Sequence, residues 1–104
     1  MIKMVICDDD ENFCIQEKNT IMHIMEKEFA EIDYELLCCT SGYELTDLLN
    51  NAEIDVVFLD IELGKEDGFK IANVIRKKYE NISIVFVTTY DNLVYDSFEY
   101  RPLG

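Results

Sequence analysis

Along the chain, short apolar runs alternate with longer stretches whose apolar residues recur at helical spacing. Ile2 to Cys7 reads as a first strand. Glu11 to about Ala30 follows as a helix, with Phe13, Ile21, Ile24 and Met25 gathered on one stripe and Glu17, Lys18 and Lys27 outside it. Tyr34 to Cys39 is a second strand, after which Ser41 is placed to cap a short helix carrying Tyr43, Leu45, Leu48 and Leu49. Asn50, Asn51 and Ala52 form a turn before a third, almost wholly apolar strand from Asp55 to Leu59. Asp67 and Gly68 open a further helix, with Phe69, Ile71, Ala72, Val74 and Ile75 inward. Its last turn carries Arg76, Lys77 and Lys78, where cations suit the helix dipole. Ile82 to Val87 is a fourth strand, and Asn92 to about Tyr100 a last helix stopped by Pro102 and Gly104.

Apolar strands joined by crossover helices predict an α/β fold. The sheet is parallel and doubly wound, its connections are right-handed, and ligands belong outside the C-terminal ends of the strands. No Ser- or Pro-rich linker interrupts the 104 residues, so residues 1–104 are expected to form one domain around one core.

Composition narrows the partners. The formal net charge is -13, from 22 acidic against 9 basic side chains, and such a field repels DNA and RNA while favouring basic surfaces and divalent cations. Direct nucleic-acid binding by this segment is therefore not expected. No apolar run approaches the ~20 residues that cross a bilayer, and Ile2 to Cys7 is too short for a signal-peptide core. A soluble, cytoplasmic chain without membrane attachment is the expectation. Cys7, Cys14, Cys38 and Cys39 show no C-x-x-C spacing and His23 is the single histidine, which argues for reduced, mostly core-filling thiols rather than a disulfide scaffold or zinc site.

The strand exits carry the chemistry. The first strand runs into Asp8-Asp9-Asp10, the third into Asp60 and the fourth into Thr88-Thr89, all on one rim of a parallel sheet. Neighbouring strands lie about 4.8 Å apart, so Asp8, Asp9 and Asp60 can surround one small cation if the first and third strands adjoin. Like charges about 4 Å apart repel by roughly 4 kcal/mol at an effective dielectric near 20. Such a pocket needs a cation or raised pKa values. Magnesium suits one or two carboxylates with waters and phosphate oxygens, whereas calcium wants a larger cage of oxygens. A carboxylate beside that ion, with the Thr88 hydroxyl near, can act as nucleophile toward a phosphoryl donor. Taken singly, the residues have plainer readings: Asp10 as a helix cap, Asp60 as the start of a solvated loop, Thr88 as an ordinary strand former. The remaining strand ends in Thr40-Ser41, and the recurrence at every strand exit favours a site.

At these residues the chain resembles the receiver domain of two-component response regulators, from Met1 to Gly104. The acidic pair is matched by Asp8 and Asp9 in ICDDDE, the phosphoacceptor by Asp60 in VVFLDIELGKEDG, and the switch hydroxyl by Thr88 in IVFVTTYDN. FLDIEL and FEYRPLG are most similar to receivers attached to LytTR-type DNA-binding domains (LytR/AlgR-like regulators). The resemblance implies a flavodoxin-like sheet of strand order 2-1-3-4, with the family's fifth strand, last helix and phosphoryl-pairing lysine lying beyond Gly104. It further implies Mg²⁺ held directly by Asp9 and Asp60, with help from Asp8 and the backbone carbonyl of Glu62. The implied donor is a phosphohistidine on a sensor histidine kinase, and the implied output a C-terminal DNA-binding domain. The protein would be a regulatory phosphoacceptor that promotes its own phosphorylation and dephosphorylation, not an enzyme with an external substrate.

Departures from the pattern carry expectations of their own. Gly64 stands where a proline is usual, so the Gly64 to Gly68 loop should be mobile. Thr89 replaces a smaller residue, and Glu62 and Tyr90 flank the entrance, where they are expected to slow hydrolysis of a phosphoaspartate. A fourth strand left as a sheet edge invites pairing between two copies, a dimer. Two other readings stand beside the first. One is a pseudo-receiver serving only as an interaction or dimerisation module. The other is a magnesium-dependent phosphatase of the haloacid dehalogenase type, whose motif wants Asp where this chain has Glu62.

Overall fold

The structure, a computed structural model, describes residues 1–87. Thr88, Thr89, Tyr90 and the helix expected from Asn92 to Tyr100 lie outside the described residues. In chain order the elements are β1 (Ile2–Cys7), α1 (Glu11–Glu28), β2 (Tyr34–Cys39), α2 (Gly42–Asn51), β3 (Val56–Asp60), the short strands β4 (Glu62–Leu63) and β5 (Glu66–Asp67), α3 (Gly68–Lys78) and β6 (Ser83–Val87).

The main sheet has the order β2-β1-β3-β6, every neighbour parallel, which is the doubly wound α/β arrangement with the expected 2-1-3-4 order. Alternation along each strand sends successive side chains to opposite faces. Val5, Cys7, Val57, Leu59, Ile84 and Phe86 share one face with Leu45 and Leu49 of α2 and Ala72 and Ile75 of α3. Met4, Ile6 and Leu36 take the other, against Cys14 of α1 and the half-buried Ile21, Met22 and Met25. Phe69 closes the first layer edge-on to Phe86, their ring centroids 4.7 Å apart.

Several local expectations are corrected. The third strand runs from Val56 to Asp60, one residue later than expected at each end; Asp55 just before it bonds to both neighbouring strands, its N–H donating to the Lys3 carbonyl at 2.8 Å and its carbonyl accepting the Ser83 N–H at 2.9 Å. Asn50 and Asn51 are the last residues of α2 rather than a turn, and Asn51 back-bonds to the Asp47 carbonyl at 2.7 Å. Ile24 and Val74 point to solvent, 45% and 63% exposed, since each sits one helical step off the stripe of its helix. On α1 that stripe runs through Cys14, Ile21 and Met25, which draws Glu17, expected outside, into a half-buried position. The stretch from Gly64 to Gly68, expected as a mobile loop, is the turn and second strand of an antiparallel hairpin, in which Glu62 pairs with Asp67 and Leu63 with Glu66, followed by the first residue of α3. Gly64 makes its two-residue turn possible with φ +63°.

Leu45 is fully buried between α2 and the sheet while Tyr43, two residues earlier, is 81% exposed. Leu45→Ala should cost about 2–5 kcal/mol by cavity formation, and Tyr43→Ala should change stability by less than about 0.5 kcal/mol. Paired urea melts check both.

Candidate functional site

In the register of the sheet Cys7 lies opposite Leu59, so the residues that follow, Asp8 and Asp60, leave β1 and β3 side by side at the C-terminal rim. Both are buried, 2% and 8% exposed, whereas Asp9 is exposed. One carboxylate oxygen from each of Asp8, Asp9 and Asp60 lies within 4.8 Å of the others, a grouping that could hold a metal ion. β6 reaches the same rim, its last carbonyl, Val87, accepting the Ile61 N–H at 3.2 Å.

Asp8 is held by both of its neighbours. Its N–H donates to the Cys39 carbonyl at 3.1 Å, and its Oδ1 accepts the Asp10 N–H at 2.9 Å. Asp8 Oδ2 is buried with no hydrogen-bond partner. A buried, unsatisfied carboxylate oxygen is costly unless a cation or proton completes it. Asp60 Oδ1 accepts the Glu62 N–H at 3.2 Å, which brings the Glu62 peptide against the cluster.

The electrostatics follow from this crowding. Burial, then repulsion from Asp8, pushes the Asp60 carboxyl up to about 6; the bond from Glu62 opposes the rise, and Asp9 adds to it. Asp8 is likewise raised, chiefly by burial and then by Asp9 and Asp10, against the pull of the Asp10 N–H. Glu17, inward on α1, is pushed up to about 7 by burial and by the charges of Asp8 and Asp60. It was not among the expected site residues; its i+3 spacing from Cys14 was the available signal. All the donors in the cluster are hard carboxylate oxygens, so the residues present fit a hard divalent cation.

Other acids at strand ends are structural. Asp10 is the N-cap of α1, its Oδ1 accepting from Asn12 at 2.9 Å and Phe13 at 3.2 Å. The Thr40-Ser41 exit of β2 serves α2: Ser41 Oγ accepts the Glu44 N–H at 3.1 Å, and Glu44 accepts the Thr40 N–H and hydroxyl at 2.7 and 2.8 Å. Those bonds hold the Glu44 carboxyl below its ordinary value. A hollow of about 910 Å³ lies at the opposite rim between residues such as Asn50, Asp55 and Lys78, and none of the clustered aspartates lines it.

Two glycines shape the approach to the cluster. A Cβ on Gly68 would stand 2.2 Å from the Asp60 carbonyl oxygen and 2.9 Å from Ile61 Cα, and the Gly68 N–H donates to the Ile61 carbonyl at 2.7 Å. A Cβ on Gly64 would lie 3.5 Å from Asp9 Oδ2, so the hairpin turn stands beside that carboxylate. Spacing alone identified Gly68 only as a helix start; its contact with Asp60 is a tertiary fact.

Comparison with known proteins agrees with this geometry. Residues 5–99 match the response regulator receiver domain family, and the chain belongs to that family. The protein is thus a regulatory signalling module of two-component systems. It is 33% identical over 104 residues to the sensory transduction protein LytT of Bacillus anthracis, covering 99% of this chain and 39% of LytT. LytT of Bacillus cereus is 32% identical with the same coverage, so the chain spans about two-fifths of the length of these relatives. Among solved structures, the non-phosphorylated HemR receiver domain of Leptospira biflexa superposes with TM-score 0.72 at 22% identity, covering 100% of this chain and 77% of that one. The response regulator MaeR bound to beryllium trifluoride superposes with TM-score 0.68 at 19% identity, covering 100% and 80%. A chain in the complex of histidine kinase ThkA with response regulator TrrA gives TM-score 0.64 at 28% identity, covering 89% and 73%. These likenesses support the fold. No helix among the described residues is long and apolar enough to cross a membrane.

Because the folded protein holds a proton on Asp60 more tightly than a free aspartate does, the sign of its pH dependence is set. Between about pH 4 and pH 6 the folded state binds more protons than the unfolded, so stability from this group falls as pH rises. Without divalent cations, Asp60→Asn should be more stable than wild type at pH 7 by at least about 1 kcal/mol, the equivalent of one pKa unit. The gap should close toward pH 4, and millimolar magnesium should raise the wild-type melting temperature alone; calorimetry at both pH values reads this out. Gly68→Ala should destabilise by about 1–3 kcal/mol through overpacking, and urea denaturation measures it.

Proposed function

We propose that Asp60 accepts a phosphoryl group in a magnesium-dependent reaction, and that Asp8, Asp9 and the backbone carbonyl of Glu62 complete the metal site. The observation that carries this reading is the gathering of one carboxylate oxygen from each of Asp8, Asp9 and Asp60 within 4.8 Å, with Asp8 Oδ2 buried and unpartnered. When bound, magnesium supplies positive charge that lets the carboxylates ionise together and offsets charge on the transferring phosphoryl group.

The residues divide the work. Asp60, freed of its proton as its pKa falls beside a cation, presents a carboxylate oxygen to phosphorus; a P–O bond forms as the P–N bond to the donor histidine breaks. The Glu62 N–H holds Asp60 Oδ1, leaving Oδ2 as the attacking atom. The Asp10 N–H holds Asp8 Oδ1 in the same way and leaves Oδ2, buried without a partner, as the oxygen that would serve a bound cation. Glu62 itself is exposed beside Asp60, in a position to slow the entry of hydrolytic water. Thr88 follows directly on β6, and its hydroxyl is assigned as the switch that reads a phosphoryl oxygen.

The proposed donor is a cytoplasmic sensor histidine kinase, a partner type suggested by the ThkA–TrrA complex. The LytT relatives are more than twice as long as this chain, and a DNA-binding output in the remainder of such a protein is part of the proposal. Among the described residues β6 pairs with β3 alone, which keeps self-association through that edge within the same reading.

Acetyl phosphate with magnesium should add one phosphoryl group per molecule, seen by intact mass, and chelation or Asp60→Asn should abolish it. Asp8→Asn should slow the reaction by about 10–100-fold, as for other metal-site lesions. Absence of any adduct, and of any response to beryllium fluoride at millimolar magnesium, would instead identify a phosphorylation-independent interaction module.

A further inference from the structure

The four cysteines sort into two pairs on opposite faces of the sheet. Cys38 and Cys39 are consecutive in β2 and therefore point to opposite sides. Cys39 meets Cys7, its direct partner in the parallel register, inside the core packed by α2 and α3. Both are buried, 5% and 1% exposed. Cys38 faces the α1 side, the face on which Cys14 is buried. Here the exposure is unequal: Cys14 is 2% exposed, while Cys38 is solvent-exposed on a strand that ends the sheet among the described residues. The two line one surface hollow of about 340 Å³ together with Glu11, Ile15, Cys39 and Thr40. That hollow gives a small oxidant access to the outer thiol and holds the inner one behind it.

We propose that Cys14 and Cys38 are a reversible dithiol–disulfide pair, oxidised by a hydroperoxide and set beside the phosphoacceptor site. The Cys38 thiolate attacks a peroxide oxygen; the O–O bond breaks, giving Cys38 sulfenic acid and, with hydrogen peroxide, one water. The Cys14 sulfur then attacks the Cys38 sulfur, the S–O bond breaks, and the departing hydroxide takes the Cys14 proton as a second water. Two thiols give up two electrons and the peroxide accepts them. A small dithiol reverses the bridge by two exchange steps. Cys39 borders the same hollow but Cys7 does not line it and is 1% exposed, so the Cys7–Cys39 pair stays reduced.

The bridge is tied to the acidic rim. In the reduced protein the Cys14 thiol donates to the Asp8 carbonyl at 3.6 Å and to the Cys39 carbonyl at 3.8 Å, and oxidation removes that proton. Oxidation therefore weakens magnesium binding at Asp8, a consequence that rests on the metal reading above, whereas the disulfide itself does not.

The test uses the whole chain treated with hydrogen peroxide, thiol blocking and cleavage before aspartate. Asp8 to Asp10 separate Cys7 from Cys14, and Asp33 separates Cys14 from Cys38. The expected product is one intramolecular link between the Cys14 and the Cys38-Cys39 peptides, retained in Cys39→Ser and Cys7→Ser, lost in Cys38→Ser, and reversed by dithiothreitol. Cys14→Ser and Cys14→Ala should instead stop at a Cys38 sulfenic acid trapped by dimedone, which keeps the test readable should either replacement perturb packing. A link that survives Cys38→Ser, a Cys7–Cys39 link, a cross-linked dimer in its place, or no link at all would overturn the pair. Magnesium affinity, followed by tyrosine fluorescence, should be at least about fivefold weaker in the bridged protein. Equal affinity overturns the coupling and leaves the pair standing; no magnesium binding by the reduced protein overturns the metal reading instead.

Discussion

Repulsion among carboxylates that the fold will not let apart is the constraint on which this molecule turns. Asp8 follows Cys7 and Asp60 follows Leu59, both fully inserted in the core, so neither backbone can retreat from the rim. Burial raises the energy of each ionised form, and each charge then raises the other. Hydrogen bonds from the Asp10 and Glu62 N–H groups relieve one oxygen of each residue and leave Asp8 Oδ2 with nothing. On the proposed function, a divalent ion resolves the conflict.

The surrounding structure maintains that crowding rather than relaxing it. Gly68 lets the start of α3 press against the Asp60 carbonyl at a distance no side chain would permit. The β4–β5 hairpin stands over Asp9 on one side, while Glu66 on the same hairpin accepts the Gly42 N–H at 3.0 Å and ties it to the first turn of α2. Displacing the hairpin would therefore strain two helix starts together. The site is fixed by backbone contacts around it, not by contacts among its own side chains.

Much of this was legible from the sequence because it depends on period and punctuation. Six-residue apolar runs announced β1 and β2 to the residue, and Ser41 and Asp67 announced the starts of α2 and α3. The strand order and the convergence of Asp8, Asp9 and Asp60 came from the resemblance and from the rule for parallel sheets, and the structure places those residues together. What was not legible depends on one helical step or on distant partners. Ile24 and Val74 look like core residues until the stripe is anchored at Cys14 and Ala72. Glu17 looks solvated until its neighbours are known, and a hairpin of two-residue strands is too short for any periodicity to reveal. Thr40-Ser41 seemed to extend the pattern of polar strand exits, yet Glu44 claims it as a cap. Whether a polar strand exit becomes site or cap depends on whether a helix starts within reach of its hydroxyl, which spacing only suggests.

Stability and reactivity at this rim are two aspects of one equilibrium. A protonated Asp60 relieves the folded chain of a charge but is a poor nucleophile, whereas an ionised Asp60 is reactive and unfavourable to hold beside Asp8. On the proposed function, the same ion that lets Asp60 ionise also removes the reason the fold resists it. Readiness to accept a phosphoryl group and tightness of folding then rise together with cation occupancy, by linkage, and no separate conformational device is needed to couple them.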